Sequence, residues 1–214
     1  MSRSTIDRLF AYIIPRKARI ILLFKLVYFI QIAVFLLAGL AFYSGDSSSI
    51  LYYQLGLYFG RIAVLLFIIV LIPGMFKRFG ITHKILALLM IFRRYIGISM
   101  YLFALSHFGL VKVIPNLSSL QSLLKLSAFE LFGSAALLVL FFLFITSNDF
   151  SVARLGIWWY RLQRLIYIAM WFILFHLGLQ RISGWTMLMG IVVILMVTSF
   201  LFQKNSQFHK TPPK

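Results

Sequence analysis

The sequence predicts an all-α membrane protein: a bundle of six transmembrane helices with the N- and C-termini cytoplasmic. Three observations carry this. The 214 residues are 62% hydrophobic, more than the roughly half-apolar make-up of soluble domains. Several apolar runs approach or pass the ~18–20 residues that cross a bilayer. The 21 Lys and Arg residues lie mostly between those runs, as topology signals do. A net charge of +17 would otherwise suit nucleic acid, but no basic soluble face exists to bind it. With no cysteine, disulfides, thiolate metal sites and iron–sulfur ligands are excluded.

The elements follow in order. Residues 1–21 read as a retained basic cytoplasmic leader that lies on the membrane, since no small-residue cleavage site follows a short apolar core. The transmembrane domain spans 22–202. Leu22–Tyr43 is the first span, closed by the polar turn Ser44–Ser49. Leu55–Ile72 is the second, ended by Pro73-Gly74 and a basic loop. Ile85–Arg94 is a run-in to the third span, Tyr95–Ile114, which Pro115-Asn116 closes. Ser118–Ser127 reads as a connection with a short surface helix. The fourth span is Ala128–Ile145, the fifth Trp158–Leu179 and the sixth Trp185–Phe202. Residues 203–214 form a polar tail with the composition of disorder. With the N-terminus inside, 17 basic residues fall on the cytoplasmic side, leaving only Arg61, Lys112, Lys125 and Arg181 outside.

Of the four histidines, His83 and His209 fall in a loop and in the tail. His107 and His176 fall inside spans, where an ionisable side chain is costly and marks a functional site. At 1.5 Å per residue, His107 lies roughly 20 Å along the third span and His176 roughly 27 Å along the fifth. Both belong to the outer half, on helices running the same way. Two neutral imidazoles across a bundle suit the axial sites of a b-type haem, which needs no covalent attachment. The bland alternative is that each is polar glue between helices, bonded to a backbone carbonyl. Arg61 in the second span could neutralise a haem propionate or pair with Glu130. Arg181 could serve a propionate or snorkel to the interface.

The order of several short motifs resembles the ferric reductase-like transmembrane family, from about Tyr58 to Leu179. The pieces are Gly60-Arg61 with Ala63; Arg93–Gly97 with Leu105 and His107; Gly133; Thr146-Ser147; and Leu155-Gly156 with Trp159, Leu162, Tyr167 and His176. Within that family the chain is most similar to the haem-binding membrane subunits of periplasmic methionine sulfoxide reductase systems. The resemblance implies a six-helix bundle in the inner membrane that binds haem b, with His107 and His176 at haem-iron ligand positions. It implies a quinone or flavin (FMN) source of electrons and a periplasmic molybdopterin-containing partner. One position departs. The family carries a further histidine 13 residues before His176, where this chain has Gln163, and 14 residues before His107 stands Arg93. Neither side chain is a haem ligand, so one haem is expected rather than two.

The chain holds no Gly-x-Gly-x-x-Gly nucleotide fingerprint. It therefore reads as an electron-transfer subunit fed by quinol or a separate flavin reductase, rather than a self-contained enzyme. The alternatives are a single-haem ferric reductase acting on an external acceptor, and a cofactor-free transporter or assembly factor. The last would more often show Gly/Pro-broken spans in paired positions.

Overall fold

The computed structural model describes residues 5–44, 49–117 and 119–208. Most of the turn after the first span, Ser118, the first four residues and the end of the tail lie outside them. All regular elements among the described residues are helical, and six helical runs are long and apolar enough to cross a membrane.

Helix α1 (Thr5–Ile13) is short and amphipathic. It packs against the start of α4, where Asp7 pairs with Lys84, so the leader contains an ordered helix. A single tight turn at Pro15 leads into α2 (Lys17–Tyr43). Helix α3 runs from Ser49 to Arg78 and α4 from Lys84 to Phe108. The expected stop at Pro73-Gly74 is not a stop: Pro73 is buried inside α3, which continues for five more residues. A proline removes one helix hydrogen bond. Here the buried neighbours Leu71 and Met75 hold the helix together across it. The expected run-in and third span are likewise one helix. His83 caps it, its Nδ1 accepting from the Ile85 N–H at 3.3 Å.

Just past His107 the helix widens into a π turn, Gly109–Val113, and ends in a tight turn at Ile114–Asn116. The short α5 (Leu120–Leu124) leads to α6 (Ala128–Ile145), whose bounds match the expected span. Ser127 and Glu130 form its capping box, which satisfies the first-turn N–H groups. Helix α7 (Asp149–Leu155) turns at Gly156, with φ of +51°, into α8 (Ile157–Gln163). The fifth span is thus two helices, α8 and α9 (Ile166–Gln180), joined by a tightened turn at Arg164-Leu165. Helix α10 (Gly184–Phe208) extends six residues beyond the expected sixth span, into the predicted tail.

Two helix pairs form the frame. Helix α3 packs along α4 and α6 along α9; α10 closes against α3 and α9, and α2 lies on α4. The main core includes Phe67, Leu71, Met170, Met189 and Met196, all 2% exposed or less. Much of the remaining apolar surface is exposed, as lipid-facing helices require. In lipid, truncating a core side chain forfeits packing but little transfer energy, because lipid tails are as apolar as the core. Phe67→Ala should therefore cost about 2 kcal/mol rather than the 3–5 of a soluble core, read as a lowered thermal midpoint by circular dichroism in detergent.

The packing gathers charge at one end. There the end of α3 meets α10, the start of α4 meets α1, and Arg94 pairs with Asp149 at 2.7 Å. Trp159 Nε1 donates to the Thr146 carbonyl at 2.9 Å and ties α8 to the same end. At the opposite, charge-poor end Lys112 pairs with Glu130 at 2.9 Å.

Candidate functional site: a paired-imidazole centre

His107 lies near the end of α4 and His176 near the end of α9. The two helix pairs bring their rings together, with centroids 6.5 Å apart and planes at 73°. The depth estimates from the sequence had placed both in one half of the bundle, and their rings do meet near the charge-poor end.

Each ring is seated the same way. His107 Nδ1 hydrogen-bonds the Gly56 carbonyl of α3 at 2.8 Å. His176 Nδ1 hydrogen-bonds the Phe129 carbonyl of α6 at 2.7 Å. A histidine that bonds a carbonyl through Nδ1 carries its proton there, which leaves Nε2 as a lone-pair donor. Neither Nε2 makes a hydrogen bond among the described residues.

A glycine stands four residues after each carbonyl. A Cβ on Gly60 would lie 2.8 Å from His107 Nδ1, and one on Gly133 would lie 2.7 Å from His176 Nδ1. Both contacts are closer than van der Waals packing allows. Each imidazole therefore lies directly on the backbone of the neighbouring helix, at a glycine, with its Nδ1 tied one turn away. The carbonyl bonds of the glue reading are both present, and each uses one nitrogen of its ring.

Flanking groups steady this seat. Phe129 packs against the His176 ring with centroids 5.8 Å apart. Beside His107, the buried Ser106 Oγ donates to Gln31 Oε1 at 3.1 Å and fixes α2 to α4. The π turn after His107 lays Gly109 against the Phe35 ring, where no Cβ would fit. Such turns frequently accompany functional sites.

The other expected residues make no hydrogen bond with either imidazole among the described residues. Arg61 is exposed, with its guanidinium 5.3 Å from the Tyr58 ring centre. It does not pair with Glu130, which Lys112 and Ser127 occupy. Arg181 is exposed at the end of α9. Gln163 lies far along the α8–α9 run from His176, and its buried Nε2 has no hydrogen-bond partner.

The arrangement fits an iron held between two imidazoles. Metal–nitrogen bonds of about 2.0–2.1 Å ask for ring centres roughly 6–6.5 Å apart, close to the 6.5 Å found. Among the described residues no group of three or more His, Cys, Asp or Glu comes together. Two imidazole donors would suit a group that brings its further donors with it, as a porphyrin does.

The carbonyl partners Gly56 and Phe129 were not singled out in the sequence. The available signal was the glycine one turn further on in each case.

Fold and site together define a multi-span helical membrane protein with a paired-imidazole centre between two helix pairs. The profile of the family described as ferric reductase like transmembrane component matches residues 59–174, more than half the chain, and the chain belongs to that family. The match includes Gly60, His107 and Gly133 and stops just short of His176.

Two curated relatives are similar over part of their length. Both are named protein-methionine-sulfoxide reductase heme-binding subunit MsrQ. The one from Agrobacterium fabrum is 31% identical over 98 residues, 44% of this chain and 46% of its own. The one from Brucella anthropi is 32% identical over 81 residues, 36% of this chain and 37% of its own. The chain thus matches less than half of each relative's length. No solved structure matches significantly.

Proposed function

We propose that the chain is a membrane electron-transfer subunit that holds one b-type haem between His107 and His176. The observation that carries this reading is the duplicated seat: two imidazoles, each tied by Nδ1 to a carbonyl and laid over a glycine, with centroids 6.5 Å apart. The name of the relatives, heme-binding subunit, supports it. When bound, haem supplies one-electron chemistry. The chain's own residues hold the ring nitrogens in one tautomer, keep the site between packed helices, and set its polarity. Arg61, next to Gly60, and Arg181, five residues after His176, are assigned to the propionates.

By the positive-inside rule, we assign the basic end and both termini to the cytoplasm of a cell with an inner membrane, and the histidine end to the periplasmic side. Electrons would enter from the quinone pool or a flavin reductase, with flavin mononucleotide as a further carrier. They would leave to a periplasmic acceptor, a molybdenum-cofactor methionine sulfoxide reductase by analogy with the relatives' name. Residues 22–202 are the haem-binding unit in this reading.

The test is an oxidised and dithionite-reduced spectrum of the purified protein with a pyridine haemochrome count. One low-spin haem per chain is expected, and a haem-free protein would overturn the reading. Gln163→His restores the family's further histidine without a ligand facing it, since position 93 is arginine. The count in that variant should stay at one. Two haems in the wild type would refute the inference from Gln163.

A further inference from the structure

We propose that the basic end of the bundle binds a phosphate group between Arg78 and Arg93. This site is separate from the histidine centre and does not depend on it.

Arg78 ends α3 and reaches into the bundle. Its Nε donates to Ser199 Oγ at 2.9 Å, its Nη1 to Tyr167 Oη at 3.0 Å, and its Nη2 contacts Met196 Sδ. Its guanidinium also lies 4.0 Å from the Phe200 ring centre. All of these partners are neutral. Ser199 and Met196 are 0% and 1% exposed, so this cation is drawn into an apolar wall. Arg93 on α4 is half-buried and makes no hydrogen bond or ion pair among the described residues. It lies within electrostatic range of both Arg78 and Tyr167. On the helical run carrying Tyr167, one turn earlier, stands Gln163 with its buried, unpartnered Nε2–H.

Two guanidinium groups in each other's field and partly withdrawn from water favour a bound anion. Among the described residues no carboxylate pairs with either. The protein contains four acidic residues. Asp7 pairs with Lys84, Asp149 with Arg94, and Glu130 with Lys112 at the opposite end. Asp46 lies outside the described residues. We assign the counter-charge to a ligand.

Phosphate fits best. Arginine forks match its oxygens, the tyrosine hydroxyl and glutamine amide add neutral donors, and the paired positive charge suits it. The depth fits too. The helical run from Lys84 to Asn116 has 33 residues, roughly 50 Å against a core of roughly 30 Å. Arg93, nine residues in, then stands near the boundary where lipid phosphates lie. Phe200, under the Arg78 guanidinium, is 42% exposed on the outer face of α10, so the site opens to lipid. Basic pockets between transmembrane helices hold anionic headgroups in this way.

Native mass spectrometry of the detergent-purified wild type, after addition of phosphatidylglycerol or phosphatidylcholine, tests this. A retained phosphatidylglycerol adduct is expected, lost about tenfold or more in Arg93→Gln and kept in Arg161→Gln. The exposed Arg161 lies over the Trp158 ring and serves as the control. Equal retention in all three proteins overturns the proposal, as does a carboxylate-bearing adduct such as haem at this site. Thermal unfolding of the wild type alone, in nanodiscs of phosphatidylcholine with and without phosphatidylglycerol, covers the case of an unfolded variant. A higher midpoint with phosphatidylglycerol assigns a lipid phosphate. A rise produced instead by glycerol 3-phosphate or inorganic phosphate assigns a soluble one. No shift with any of them overturns the site.

Discussion

His176→Ala is expected to abolish haem binding while leaving the helical bundle intact, and His107→Ala is expected to do the same. Each ring contributes one hydrogen bond to its neighbouring helix, at 2.7 Å for His176 and 2.8 Å for His107. Losing that bond costs the fold about 1 kcal/mol, well short of unfolding it. Losing the Nε2 would remove one of the two nitrogens proposed to hold a haem, which has no covalent link to fall back on. The measurement is the haem-to-protein ratio after gel filtration, beside helicity by circular dichroism. Retention of a full low-spin haem in either variant would show that the pair is structural glue after all. The proposed site predicts a further signature for the wild type. The ring planes stand at 73°, and each is fixed by its own carbonyl. If both imidazoles hold the haem at that angle, the ferric protein is expected to give a strongly anisotropic low-spin electron paramagnetic resonance signal.

Gly133→Val and Gly60→Val should weaken haem binding about 10–100-fold, the effect of disturbing groups that orient a metal's ligands. The added Cβ alone would stand 2.7 Å from His176 Nδ1 or 2.8 Å from His107 Nδ1. The ring must swing off its carbonyl, taking Nε2 out of line. Neither backbone nor a packed ring gives way cheaply. Gly97→Ala and Gly190→Ala are the controls, since nothing lies within 4 Å of a Cβ at either position. Those variants should keep the wild-type haem content. If all four variants bind haem alike, the seat does not position the ligands. The outcome is read by titrating haemin into the apoprotein, so that affinity and folding are scored separately.

Some boundaries were legible because local chemistry sets them. Ser127 and Glu130 close the start of α6 by hydrogen bonds within four residues, and the bounds Ala128–Ile145 follow. The first span is visible as a long apolar run interrupted only by Lys25 and Gln31, although α2 starts at Lys17 rather than Leu22, because a helix extends into the interface beyond its apolar stretch. Pro73 misleads for the opposite reason. Its local effect is to break a helix, and only the burial of Pro73 and its neighbours among other helices overrides that. The turn at Arg164-Leu165 is just as invisible, since helical periodicity passes through it nearly unchanged. Charge pairing was legible only in total. The sequence holds few acids and many bases, but that Glu130 takes Lys112 rather than Arg61 depends on the bend after α4.

The sequence by itself determined that this chain crosses a membrane several times, and that two histidines at comparable depth are its candidate chemistry. Apolar length and the cost of an intramembrane imidazole are properties of single segments, so they can be read without a fold. Only the tertiary structure decided that His107 and His176 meet, that Gly60 and Gly133 let them lie against backbone, and that Arg78 and Arg93 come within each other's field with no carboxylate paired to either among the described residues. Those are relations between helices, set by which faces pack together. In a lipid solvent apolar patterning leaves the faces of a helix nearly equivalent. Close approach at the glycines and the bonds across them are what choose the pairing.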